Sequence, residues 1–198
     1  TPNTSNLNLL KAGIELDPNG FIPVNQQRRT LIPNIYAIGD VTGDPMLAHK
    51  ASYEGKVAAE VIAGQKSVYD PIAIPSVIYT SPEIAWAGLT EKELNEQSIK
   101  YKKAEFPWSA NGRAMTMNST NGKTKILTNL DQTQILGIGI VGDNAGDLIG
   151  EAMLALEMNA IPEDIGMTIH PHPTLSETIA NASEILNGSI TELYIPKK

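Results

Sequence analysis

The chain has 198 residues, 41% of them hydrophobic, with a formal net charge of -7. This is enough for one large domain or one and a half, and no basic run exceeds two residues, which argues against nucleic-acid binding and a polybasic membrane anchor. No apolar run is long enough to span a bilayer, the start Thr1-Pro2-Asn3-Thr4 reads as neither signal nor transit peptide and lacks Met, and the absence of cysteine removes disulfides, thiolate zinc sites and a cysteine nucleophile.

Residues 1–20 read as irregular and close on the turn Asp17-Pro18-Asn19-Gly20. Phe21-Ile22-Pro23-Val24 reads as a short strand. Ile35-Tyr36-Ala37-Ile38, after Pro33-Asn34, reads as a buried one. Gly39-Asp40 ends it, a Gly- and Pro-containing loop runs from Thr42 to Pro45, and Met46 to Ala63 reads as an Ala-rich helix stopped by Gly64. A helix N-terminus next to a strand end is where open α/β sheets bind polar ligands; a plain β–α connection is the other reading. Composition changes around Tyr69-Asp70-Pro71, which places a domain boundary between 69 and 70.

Beyond it, Ser76 to Thr80 and Ile84 to Gly88 read as strands around the turn Ser81-Pro82-Glu83. Thr90 opens a short helix, with Glu93 completing a capping box. Lys100 to Phe106 reads as an edge strand, and Ala110 to Asn118 is ambiguous. Gly122 to Asn129 and Ile135 to Val141 read as strands joined by the turn Leu130-Asp131-Gln132-Thr133. Gly137-x-Gly139-x-x-Gly142 has the spacing of a dinucleotide fingerprint. Its glycines sit within a strand rather than in a strand-to-helix turn, so the phosphate-loop reading is rejected. Asp147 to Asn159 reads as a helix with Leu148, Ile149, Ala152, Ala155 and Leu156 on one side. Met153 and Met158 widen that surface, which suits either a core helix or one packed on its second side by a partner subunit. Pro162 to Met167 reads as a short connection or turn, and Leu175 to Leu186 as a helix ended by Asn187-Gly188. The order of elements after residue 70 is an α+β pattern.

The stretch Ile169-His170-Pro171-His172-Pro173-Thr174-Leu175-Ser176-Glu177 concentrates the chemistry. It holds two of the three histidines, two prolines that stiffen the backbone between them, and a carboxylate five residues after the second histidine. A histidine whose ring nitrogen is held by a carboxylate is the usual base in proton transfer. The plainer reading is a surface loop that starts a helix, with Thr174 or Ser176 as cap and Glu177 in the first turn. A metal site of His170, His172 and Glu177 is a third reading, disfavoured by the adjacent prolines. The prolines also suggest a cis bond at His172-Pro173.

Two stretches together resemble the pyridine nucleotide–disulfide oxidoreductases. Asn34 to Val41, followed by Pro45-Met46-Leu47-Ala48-His49-Lys50-Ala51 and Glu54-Gly55, looks like that family's second FAD-contacting segment. His170 to Glu177 looks like the catalytic segment of its C-terminal interface domain, and Pro75 to Glu83 like the start of that domain. The Met46-to-His49 run with His172-Pro173-Thr174-Leu175-Ser176-Glu177 is most similar to members that oxidise dihydrolipoamide within 2-oxo-acid dehydrogenase complexes.

The resemblance implies that residues 1–69 are the C-terminal part of an FAD-binding domain. It makes 70–198 an interface/dimerisation domain, an antiparallel sheet with flanking helices. It makes His172 the base that deprotonates the substrate thiol and Glu177 the group that orients it, with His170 in a supporting role. Asp40 would hydrogen-bond the flavin's linker, and Met46, Leu47, Ala48 and His49 would lie at the flavin ring, where a helix N-terminus suits the negative charge of reduced flavin. FAD would be the cofactor, NAD the co-substrate, and a homodimer the active form, because the catalytic segment reaches into the other subunit. The setting would be bacterial cytoplasm or mitochondrial matrix. The family's first FAD fingerprint, redox cysteine pair and NAD domain are not in this sequence, so it reads as the back half of such an enzyme, inactive alone. A disulfide reductase acting on glutathione and a non-catalytic dimerisation module are the alternatives.

Overall fold

The computed structural model describes residues 2–196. Thr1, the first residue of the expected 1–69 domain, lies outside them. The chain divides into two compact units, Thr1–Pro71 and Ile72–Lys198.

The first unit contains the helix α1, Ala48–Ile62, and 3₁₀ turns at Leu9–Ala12 and Gly39–Thr42. The strands expected at 21–24 and 35–38 do not form a ladder. The backbone there makes single ties instead: Ile22 N–H donates to Val41 O (2.8 Å), and Tyr36 bridges Arg29. A strand is a paired structure, and a short apolar run with Pro23 in it has one donor fewer to pair with. These runs still bury Ile22 and Ala37 with Ile14, against Leu9, Val24, Ile32, Ile35 and Val41. The helix starts later than the sequence suggests. Leu47 is extended (φ -132°, ψ 135°) and is the N-cap, so Met46 and Leu47 precede the helix and Ala48 and His49 open it.

A carboxylate is the polar centre of this unit. Glu54 on α1 is fully buried. One oxygen pairs with Arg28 Nη1 (2.9 Å) and Lys50 Nζ (3.1 Å); the other accepts the Gly39 N–H (2.6 Å). Lys50 Nζ also donates to Gly39 O (3.3 Å) and Gly43 O (3.0 Å). An ionised side chain is tolerated inside a protein only when its partners replace water in this way. The result is that the 39–43 turn is fastened to α1.

The second unit is built on a five-stranded antiparallel sheet of order β1-β2-β5-β4-β3. The strands are β1 (Ser76–Ile78), β2 (Glu83–Gly88), β3 (Lys102–Pro107), β4 (Lys123–Thr128) and β5 (Ile135–Gly142). As expected, β3 lies at an edge and Gly137, Gly139 and Gly142 are inside β5. Between the strands lie α2 (Glu91–Glu96), which carries the Thr90–Glu93 capping box, and α3 (Gly112–Thr116). The ambiguous 110–118 segment is thus the end of a 3₁₀ turn (Trp108–Ala110) followed by a short helix. Helix α4 (Ala145–Glu157) packs on β2 and β5, and α6 (Glu177–Asn187) on β3 and β4. The expected turn at 162–167 is a helix, α5 (Pro162–Met167). Pro162 at its start needs no hydrogen-bond partner, and Asp164 accepts the Ile161 N–H (2.9 Å).

Trp108 keys the sheet to the helix layer and is fully buried. A Cβ at Gly122 would lie 2.4 Å from its ring, and one at Gly142 2.2 Å, so only hydrogens fit on both sides of the indole. Its Nε1–H donates to Thr124 Oγ1 (3.0 Å), which donates to Thr178 Oγ1 (2.8 Å), which donates to Leu175 O (2.7 Å). That buried relay runs from the sheet to the loop entering α6.

Candidate functional site

The loop between α5 and α6 carries both histidines. Its downstream end is fixed by Glu177, the first residue of α6. Glu177 Oε1 lies 2.8 Å from His172 Nδ1, and Oε2 accepts the Thr174 N–H (2.7 Å). Ser176 occupies the cap position but makes no side-chain cap bond, so neither Thr174 nor Ser176 caps the helix. The Thr174 hydroxyl instead donates to Pro171 O (2.7 Å). The His172-Pro173 bond is cis, as the prolines suggested.

A carboxylate has no hydrogen to donate, so the contact with Glu177 places the proton on His172 Nδ1. The ring is 74% exposed and presents its other nitrogen, Nε2, outward as an acceptor. That is the arrangement of a general base with an orienting acid.

His170 is the opposite case, with only 8% of its side chain exposed. Nε2 lies 2.7 Å from Glu151 Oε1 on α4, and Nδ1 lies 2.8 Å from Thr168 O. Burial pulls its pKa down, but the bonds to Glu151 and the Thr168 carbonyl, with the charge of Glu177, outweigh this and leave it raised. Among the described residues no group of three His, Cys, Asp or Glu is arranged to hold a metal.

Sequence reasoning missed Asn111. It is buried at the start of α3; its Oδ1 accepts the Ala114 N–H (2.9 Å) and its Nδ2 donates to Thr174 O (3.1 Å). An Asn before a helix is a readable capping signal. Its second bond, to a residue 63 positions away, has no local signature. Glu151 was missed for the same reason.

The other candidate residues lie together in the first unit, around the start of α1. Asp40, Met46, Ala48 and His49 are exposed and Leu47 is half-buried. The helix has no side-chain N-cap bond and no acidic residue in its first turn. A 15-residue helix with a bare N-terminus and small or apolar residues around it suits an anionic or electron-rich planar group. Glu54, Arg28 and Lys50 hold the turn that carries Asp40; sequence reading found none of these roles.

A family model described as pyridine nucleotide-disulphide oxidoreductase, dimerisation domain, matches residues 74–183, and one described as pyridine nucleotide-disulphide oxidoreductase matches residues 1–55. The chain is 53% identical to a dihydrolipoyl dehydrogenase of Haemophilus influenzae over 97% of its own length and 40% of that protein's. It is 54% identical to one of Buchnera aphidicola subsp. Schizaphis graminum, over 100% and 42% respectively. Among solved structures, LpdA of Mycobacterium tuberculosis superposes with a TM-score of 0.87 at 28% identity, over 94% of this chain and 41% of that one. The flavoprotein disulfide reductase RclA of Escherichia coli shares the fold, with a TM-score of 0.86 at 23% identity, over 94% and 43%. The chain therefore spans about two fifths of the length of the relatives it matches.

Proposed function

The chain belongs to the pyridine nucleotide-disulphide oxidoreductase family, and on that premise we propose that it is the C-terminal portion of an enzyme that oxidises dihydrolipoamide to lipoamide and reduces NAD+. The observation that carries this is the 2.8 Å contact between His172 Nδ1 and Glu177 Oε1 on an exposed ring. His172 Nε2 takes the proton from a substrate thiol. The ring becomes an imidazolium, and Glu177 stabilises that charge. The thiolate so formed is the nucleophile toward a disulfide. This sequence contains no cysteine, so that disulfide belongs to another part of the enzyme. Residues 1–69 are read as the end of the FAD-binding domain and 70–198 as the interface domain.

When bound, FAD would supply the redox chemistry that links the disulfide to NAD+. This chain's own contribution is positional. Asp40 would accept a hydrogen bond from the cofactor's linker, and Met46, Leu47, Ala48 and His49 would line the ring. The bare start of α1 would favour negative charge there. Leu154 on α4 and Met158 at its C-cap, with Met167 at the end of α5 and Ile169 in the loop, are exposed apolar side chains beside the catalytic segment, which fits a second copy of the enzyme.

The test is turnover of the complete enzyme that carries this segment, with dihydrolipoamide and NAD+. His172→Gln should lower kcat by a factor of about 10² to 10⁴, with the flavin spectrum unchanged. Wild-type turnover in that variant, or turnover with reduced glutathione alone, would overturn the reading. The isolated 198-residue chain is expected to be inactive and to carry little FAD.

A further inference from the structure

The loop that aims His172 is almost wholly solvent-facing. From Met167 to Pro173 every residue is exposed except His170. Ile169, immediately before it, is 96% exposed and packs on nothing. Glu177 and Asn111 fix the loop's downstream end at Thr174. Among the described residues, the only hydrogen bond from 169–171 to another element is His170 to Glu151. The direction of the His172 ring therefore depends on anchors on both sides of it, Glu177 on α6 and Asn111 at the start of α3 downstream, and Glu151 on α4 upstream.

We propose that the Glu151–His170 pair is a positioning device for His172, a role that rests on reading His172 as the base. The residue type fits the task. Both His170 nitrogens face acceptors, the Glu151 carboxylate and the Thr168 carbonyl, and only the doubly protonated ring donates to both. A cation wedged between its own loop and α4 is a stiffer strut than a neutral side chain. The other carboxylates near it are Asp164 on α5 and Glu177 and Glu184 on α6; Asp164 lines the same recess, and Glu177 and Glu184 interact with His170 through charge. His170 thus carries positive charge in a largely apolar recess whose other ionisable lining groups, Glu151 and Asp164, are acidic, while His172, two residues on, keeps an open nitrogen. The pair acts through His172 and does not itself touch substrate.

The experiment is a double-mutant cycle in the complete enzyme. Glu151→Gln, nearly isosteric, should lower kcat about tenfold while KM and the thermal midpoint change little. His170→Asn should do the same and serves if the first variant folds poorly. In a His172→Gln background Glu151→Gln should cause no further loss, since the residue it positions is gone. In the 198-residue chain, long-range ¹H–¹⁵N spectra should show His172 as a single Nδ1–H tautomer that becomes a mixture in Glu151→Gln. Unchanged kcat and unchanged ring signals in both single variants, or an equal loss in the His172→Gln background, would overturn the proposal. Wild-type turnover of His172→Gln would instead sink the functional reading beneath it.

Discussion

At His170 the charged ring is favoured by its two acceptors, so its contribution to stability has a definite pH dependence. The folded pKa is raised above the ordinary 6.5. The stabilisation is therefore complete below about 6.5 and is lost as pH rises through the folded value. An NMR titration should place the His170 midpoint above the ordinary 6.5, and amide exchange at Ile169 and His170 should quicken as the pH passes it. Glu54 makes the second residue-scale prediction. Replacing it by Ala leaves Arg28 and Lys50 facing each other without a counter-charge in a buried site, at a cost of roughly 3–5 kcal/mol. Because both tryptophans, Trp86 and Trp108, lie in the second unit, their fluorescence should be unmoved while circular dichroism reports the loss of α1. His172 and Glu177 were legible because their partnership spans five residues and fits one loop. Asn111, Glu151 and Arg28 were not, because each works on a partner that only folding brings near.

Element by element, the second unit was the more readable. The apolar run at 83–88 and the mixed runs at 102–107 and 123–128, separated by turn residues, mark strands, and the pairing partners of each strand lie within the unit. In the first unit the same apolar signal, at 21–24 and 35–38, produced buried but unladdered backbone; hydrophobicity shows what is buried and not what is paired. The difference at 162–167 is of another kind: Pro162 with Asp164 two residues on is a start signal shared by turns and short helices, and here it opens a helix. Two predictions belong here. Gly142→Ala places a methyl group inside the Trp108 ring and should destabilise the sheet by at least about 1–3 kcal/mol, read as a lower urea midpoint by tryptophan fluorescence. Glu91 joins α2 to the sheet through Lys125, Lys103 (3.1 Å) and the Tyr101 hydroxyl (3.0 Å). The Lys125 bond, against the opposing effect of partial burial and with help from Lys103 and Tyr101, lowers its pKa to about 2. A depressed carboxylate stabilises above its unfolded value of 4.5, and that stabilisation fades as pH falls toward 2. Glu91→Gln should thus flatten the acid limb of the unfolding curve. The effect should be modest, since the cluster is partly solvated.

For the molecule as a whole, the two units should not be equally robust. Trp108, Phe106, Ile126, Ile140 and Ile179 centre one large core in the second, whereas Ile14, Ile22 and Ala37 centre a small one in the first. Heating the isolated chain should release α1 before the tryptophan signal changes. Light scattering should give twice the 21.3 kDa chain mass, and Leu154→Asp should give the monomer. The unlike surroundings of the histidines also set an order of chemical reactivity. Diethyl pyrocarbonate acylates an unprotonated, accessible imidazole nitrogen, so His172 should be modified early and His170, charged and enclosed, last. Comparing that footprint in the isolated chain and in the complete enzyme would read out, at each histidine, how much of the loop between α5 and α6 assembly covers.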